Sequence, residues 1–166
     1  IAGTMIVYTQ MGHLLDKDMG FDKEQMLVLD YNYDEQVNYM SSALKSEMEA
    51  LPSVTSAAFS RSVPGSYFPN AYTMIQNAEG DMVGMAQPVF QVGIDFVNHY
   101  DLELVAGRSY SRDYPSDSSS ALVINEAAAR QYGYANPADI IGKKFDQWGR
   151  KGEVIGVVKD FNFISL

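Results

Sequence analysis

Apolar side chains in this chain recur in two rhythms, one helical and one extended, and the switches between them mark out its elements. Over residues 1–19, Met5, Ile6, Tyr8, Met11, Leu14, Leu15 and Met19 fall on one face of a helix, with Gly20 as its stop. Periodicity leaves two readings open, an amphipathic helix packed on the domain or a stalk entering from upstream. Met26, Leu27, Val28 and Leu29 predict a short buried strand over residues 26–30. Val37, Met40, Leu44, Met48 and Leu51 step by threes and fours, which predicts a helix over 34–51 closed by Pro52. Residues 54–60 predict a second strand. Residues 61–70 hold Pro64, Gly65, Ser66, Pro69 and Asn70 and read as a loop, which also carries Tyr67 and Phe68. Residues 72–78 and 82–92 predict strands around the turn Glu79, Gly80, Asp81. A short helix starts at Asp95, and residues 113–120 form a polar loop. After a strand over 121–124, Asn125 caps a helix ended by Gly133. A helical turn over 137–141 stops at Gly142, and residues 143–147 and 153–159 form a closing hairpin around 148–152.

This order gives an α+β fold with two lobes. Residues 21–71 and 93–142 predict an α/β sandwich lobe of strand–helix–strand units. A mainly β lobe comes from the insertion 72–92 and the C-terminal hairpin at 143–160. The 166 residues suit one domain, and 46% hydrophobic content is enough for a real core. Twelve basic against 21 acidic residues give a charge of −9, which repels phosphate backbones and excludes nucleic acid as a partner. There is no cysteine, hence no thiol nucleophile and no thiolate metal site. No apolar run approaches the roughly 18 residues of a membrane span. The first residue is Ile1 and the last residues are apolar, so the sequence reads as a piece cut from a longer protein.

No catalytic grouping emerges. His13 and His99 are isolated, and neither sits in a metal-binding spacing. There is no G-x-S-x-G elbow, no Walker loop and no G-x-G-x-x-G. Asp113 and Asp117, with Ser116 and Ser118, supply oxygen ligands without the alternation of a calcium loop, so a solvated polar loop is expected. The pairs Asp16/Asp18 and Glu47/Glu49 lie on expected solvent-facing helix surface, where carboxylates make poor general acids. The expectation is no enzyme, no catalytic residue, no metal and no cofactor.

A set of short phrases in fixed order is more specific. They include Val63-Pro64-Gly65, Ala106-Gly107-Arg108, Val123-Ile124-Asn125-Glu126-Ala127-Ala128, Ile141-Gly142-Lys143 and Val154-Ile155-Gly156-Val157-Val158-Lys159-Asp160-Phe161. Together they resemble the MacB-like periplasmic core domain of FtsX/MacB-type ABC transporter permeases, over nearly the whole chain. Gly107, Arg108, Asn125, Glu126, Gly142, Asp160 and Phe161 are the matching positions, and they read as scaffold. Arg108 reads as an ion-pair anchor for a loop.

The resemblance implies a single periplasmic domain, anchored at the inner membrane by helices outside this sequence, with residues 1–20 as a stalk from a preceding transmembrane helix. It implies mechanical coupling of cytoplasmic ATP hydrolysis to extracytoplasmic work: efflux, lipoprotein release or partner activation. The implied partners are the membrane-embedded remainder of the permease, a cytoplasmic ABC ATPase acting indirectly, a second copy of the module, and a periplasmic adaptor or outer-membrane protein. Tyr67 and Phe68 are the candidate partner contacts, since aromatic residues on a surface loop are enriched at interfaces. The competing class is an extracytoplasmic small-molecule sensor, which would carry an enclosed pocket with convergent polar groups.

Overall fold

The structure is a computed structural model and describes residue 20, residues 25–32 and residues 34–162. The expected helix over 1–19, with His13 and the Asp16/Asp18 pair, lies outside the described residues. Two short helices come first, α1 (Glu35–Tyr39) and α2 (Ser41–Glu49). Asp34 starts α1 by accepting hydrogen bonds from the Gln36 and Val37 amides. The single helix expected over 34–51 breaks at Met40, whose φ of −92° and ψ of 8° leave the helical well.

Six strands form one sheet: β1 (Asn70–Gln76), β2 (Met82–Pro88), β3 (Leu104–Gly107), β4 (Ala121–Asn125), β5 (Lys144–Gln147) and β6 (Arg150–Val158). Between them lie α3 (Phe96–His99), α4 (Asp117–Ser120), α5 (Glu126–Gln131) and a 3-10 turn over Pro137–Ile140. The path runs β2-β1-β5-β6-β3, and β4 also pairs with β6. The β4–β6 pair is parallel, and the other ladders are antiparallel. The long strand β6 makes this possible. β5 takes its first half through Glu153, β3 takes Gly156 to Val158, and β4 pairs with it from Glu153 to Val158. The α+β class therefore holds, and the stretches 72–92 and 143–160 share a sheet through the β1–β5 ladder. β3 and β4, expected in the α/β lobe, join that same sheet through β6, so it runs unbroken across the expected lobe boundary.

Side chains alternate across β6 and divide the core in two. Val157 joins Ile75, Ile124, Tyr132, Ile140 and Phe145 on one face. Val158 joins Phe96, Val97, Tyr100 and Leu102 on the other, with Phe90 and Phe161 packed against them. Buried polar groups on the first face are paired. The Tyr132 hydroxyl donates to the Thr73 carbonyl at 2.8 Å, and Gln147 Nε2 donates to Thr73 Oγ1 at 2.7 Å. Burial pushes the Tyr132 phenol up to about 12, with Tyr72 nearby adding to the shift.

Two expected strands do not form. Residues 26–30 are irregular, and Leu27, Val28 and Leu29 are 82%, 59% and 59% exposed. Residues 54–60 make one isolated bridge, Ser60 to Val92. Their apolar composition suits a buried strand, but among the described residues no neighbouring strand lies beside either segment to take its backbone groups. The strand expected over 82–92 ends at Pro88, which has no amide to donate. The closing hairpin turns over two residues, Trp148 and Gly149, both with positive φ, rather than over 148–152.

Candidate functional site

The chain leaves the sheet at the end of β6, and the next residues are fixed side by side. Lys159 returns to Glu103 twice, through its amide to the Glu103 carbonyl and through Nζ to the carboxylate, each at 2.8 Å. Asp160 Oδ1 accepts the Ala127 amide at 2.8 Å, and its other oxygen pairs with Arg130. Asn125 Oδ1 accepts the Ala128 amide at 3.1 Å, so two side chains satisfy the first turn of α5. Glu126, in the same turn, reaches the Asp160 amide at 3.4 Å. Phe161 then lies against Phe90, with ring centroids 6.2 Å apart.

Gly20 sits directly on this exit. A Cβ at Gly20 would lie 3.0 Å from Phe161 Cβ and 3.2 Å from the Asp160 carbonyl, and the Gly20 φ is +76°. Glycine thus permits both the turn and the close approach. Gly20 and the Asp160–Phe161 segment are therefore adjacent, and four of the sequence-selected positions (Asn125, Glu126, Asp160 and Phe161) converge there.

The other selected positions hold loops. Gly107 has φ +71°, and a Cβ there would be 2.2 Å from the Ile155 carbonyl oxygen. Arg108 follows and forks onto Asp117 with bonds of 2.6 and 2.9 Å, while the Tyr114 ring lies 4.0 Å from its guanidinium carbon. Asp117 is 3% exposed and also accepts the Ser111 amide at 3.0 Å. The Arg108 bonds, against the opposing effect of burial, hold the Asp117 carboxyl below its usual value. The solvated polar loop expected here holds for Asp113, Ser116 and Ser118, which are exposed, and is corrected at Asp117. Asp117 opens α4 and is a buried loop anchor, because its negative charge is matched by Arg108. Gly142 has φ +78° and donates its amide to the Val154 carbonyl at 2.8 Å, which ties the 3-10 turn to β6.

Tyr67 and Phe68 part company. Tyr67 is 86% exposed, whereas Phe68 is half-buried and stacked on Phe90 at 5.3 Å. Through Phe90, Phe68 is linked to Phe161 and the chain exit. Phe68 is thus part of the packing, and only Tyr67 projects.

Sequence reasoning missed a polar hub on Asp95. Lys45 Nζ lies 2.6 Å from Asp95 Oδ2, and Arg112 bonds both carboxylate oxygens at 3.2 and 2.9 Å. Burial alone would raise the Asp95 carboxyl, but these two cations keep it below the ordinary value. His99 Nδ1 lies 2.7 Å from Ser56 Oγ, and burial pushes its imidazole down. These partners are 50, 17 and 43 residues apart, beyond any local motif. Among the described residues, no three His, Asp or Glu side chains gather as metal ligands.

A groove of about 870 Å³ runs between residues 59–61 and 88–94 on one side and the sheet on the other. Gln87 and Pro88 of β2 and Leu122 to Asn125 of β4 border it, so these two strands reach its walls. It is open to solvent rather than enclosed.

No protein-family model matches the chain, and no curated protein does. Among solved structures, it is similar to the periplasmic region of MacB from Actinobacillus actinomycetemcomitans, at 18% identity and a TM-score of 0.48, over 74% of this chain and 52% of that one. It is also similar to a domain assigned to a permease protein of Porphyromonas gingivalis, at 21% identity and a TM-score of 0.47, over 68% of this chain and 43% of that one. The chain thus spans about half the length of these structures.

Proposed function

We propose that this chain is the extracytoplasmic module of an FtsX/MacB-type ABC permease, a non-enzymatic coupling domain placed on the periplasmic side of the inner membrane. Its phrases, from Ala106-Gly107-Arg108 to Lys159-Asp160-Phe161, carry the resemblance. The observation that carries the mechanics is the contact of Gly20 with Asp160 and Phe161. Segments that approach and depart side by side can both lead to one membrane surface. The departing segment is continuous with β6, the strand on which β3, β4 and β5 all pair. A displacement of the flanking membrane helices, driven by the cytoplasmic ATPase, is then delivered to the middle of the sheet. Tyr67 marks the face turned to a second module or an adaptor.

The test uses the full-length protein reconstituted with its ATPase. With Tyr67→Cys as a spin-label site in this cysteine-free domain, nucleotide should change the distance between paired modules. Asp160→Ala combined with Arg130→Ala should suppress that change while nucleotide hydrolysis continues. Distances indifferent to nucleotide would sink the proposal. The groove's volume of about 870 Å³ suits a ligand and supports a second reading, a small-molecule sensor, although the groove is not the enclosed pocket expected of one. A metabolite that raises the melting temperature of the chain and leaves module distances unchanged would select that reading instead.

A further inference from the structure

Residues 34–60 contain no buried side chain, although they include two helices and face an apolar groove. On one continuous helix Val37, Met40, Leu44, Met48 and Leu51 would fall within an arc of roughly 100°; the break at Met40 divides this stripe between α1 and α2, Leu51 lies past the end of α2, and Val37, Leu44 and Met48 are half-buried. Yet Met40 is 58% exposed and Leu51 is 53% exposed. Neither helix makes an extensive contact with any strand. Asn38 and Ser41 line the groove from the helix side, and Leu122, Val123 and Val158 line it from the sheet side.

Among the described residues, this segment is attached by backbone bonds, by polar side chains and by the Phe59 ring, which meets Tyr31 edge-on at 6.2 Å. At its C-terminal end it is held by backbone bonds: the Ser60–Val92 bridge, the Arg61 amide to the Gln91 carbonyl at 2.9 Å, and the Gly93 amide to the Phe59 carbonyl at 2.7 Å. Its body is tethered by polar side chains, Lys45 to Asp95 at 2.6 Å and Ser56 to His99 at 2.7 Å. Backbone bonds at one end make a pivot. The exposed Ser56–His99 tether can exchange with water at little net cost, whereas Lys45 and Asp95, with side chains 12% and 29% exposed, form the latch that release must break.

We propose that residues 34–60 are a hinged lid that closes into the groove, pivoting at the Ser60–Val92 bridge and released when Lys45 leaves Asp95. Closure buries the apolar stripe against the sheet, and the structure described above is the open state. This inference concerns the domain itself and stands apart from what the domain is coupled to.

These 166 residues contain no cysteine, so labels on them go only where they are placed. Spin labels at Asn38→Cys on the lid and Ser118→Cys on the opposite rim, both exposed groove-lining positions, report the opening by pulsed dipolar spectroscopy. The expected result is two distances, a long one for the open state and a short one for the closed state. Adding Met40→Arg places a charge on the closing face of an exposed residue. It should cut the short-distance population about 10-fold or more, since the charge must be desolvated on closure. Asp95→Asn should enlarge that population by loosening the latch. A single long distance in the unmodified chain, or a short distance that survives Met40→Arg undiminished, overturns the proposal.

Discussion

Replacing Asp117 by alanine tests whether one buried carboxylate holds the loop between β3 and β4. The substitution removes two bonds from the Arg108 guanidinium, at 2.6 and 2.9 Å, and leaves the Ser111 amide without its 3.0 Å acceptor. Hydrogen bonds to a charged group contribute about 1.5–3 kcal/mol. Breaking a fully buried pair would cost about 3–5 kcal/mol, because the orphaned charge stays dry. That upper range does not apply here, since the Arg108 side chain is 38% exposed and rehydrates. The expected loss is about 2–3 kcal/mol, or about 5–10 °C in melting temperature for a chain of this size. Urea denaturation should show a lower midpoint with an unchanged slope. Asp117→Asn, which keeps an acceptor, should lose about half as much. The pH dependence gives an independent check. The Asp117 carboxyl is held below 3.8 in the folded chain, mainly by the Arg108 bonds, so the unfolded chain takes up a proton first as pH falls. Its contribution is therefore complete above about pH 5 and shrinks as pH drops below about 4. The gap between the unmodified chain and Asp117→Asn should narrow over that window. A loss under about 0.5 kcal/mol at pH 7, the level of an ordinary surface substitution, would refute the anchor.

Gly107→Ala should cost about 3 kcal/mol or more, because it strains a positive φ and drives a Cβ into the Ile155 carbonyl; a variant melting within 2–3 °C of the unmodified chain, about 1 kcal/mol, contradicts this. Tyr67→Ser should leave the melting temperature within about 1 °C, whereas Phe68→Ser should lower stability by about 1–2 kcal/mol through its lost stacking on Phe90. Calorimetry on the two single variants separates them, and equal effects would refute the division. Tyr132→Phe should cost about 1 kcal/mol at neutral pH by removing the bond to Thr73. The Tyr132 phenol sits at about 12, above its ordinary 10, so its stabilisation is intact below pH 10 and fades as pH rises from there toward 12. Alkaline titration of both proteins should show a shallower loss in the Tyr132→Phe variant.

The elements read correctly from sequence are those whose signal is local. Asn125 sits two residues before a run of alanines and caps their helix, and Gly142 follows an isoleucine pair and ends a turn at φ +78°. Short-range chemistry decides such positions wherever the segment lies in the fold. The failures concern what lies beside a segment. Leu27, Val28 and Leu29 have the composition of a buried strand, but composition counts apolar side chains and says nothing of a partner strand. Asp117 looked solvated among serines because its partner, Arg108, stands nine residues away across a turn. The Asp95 hub joins residues from three separate segments, so no window along the chain contains it. Pattern also overestimated the 148–152 turn, where Trp148 occupies positive φ that glycine or asparagine usually fills.

The placement of these features separates a stiff path from a soft one. A pull on Phe161 directed along β6 acts across hydrogen bonds that lie roughly perpendicular to the strand, so many bonds share the load instead of parting one by one. β5, β3 and β4 grip β6 along its length, and Val157 and Val158 place it in both halves of the core. Asp160, bonded to Ala127 and Arg130, couples the same point to α5, which lies over the first face. Residues 34–60 lie outside this path, held by a short pivot and polar tethers. The proposed coupling and the proposed lid therefore rest on different contacts. Weakening the Asp160 junction should alter what reaches the sheet without moving the lid, and loosening Asp95 should move the lid without altering the junction. A variant at one place that changes both distances would show that the two are a single mechanical unit.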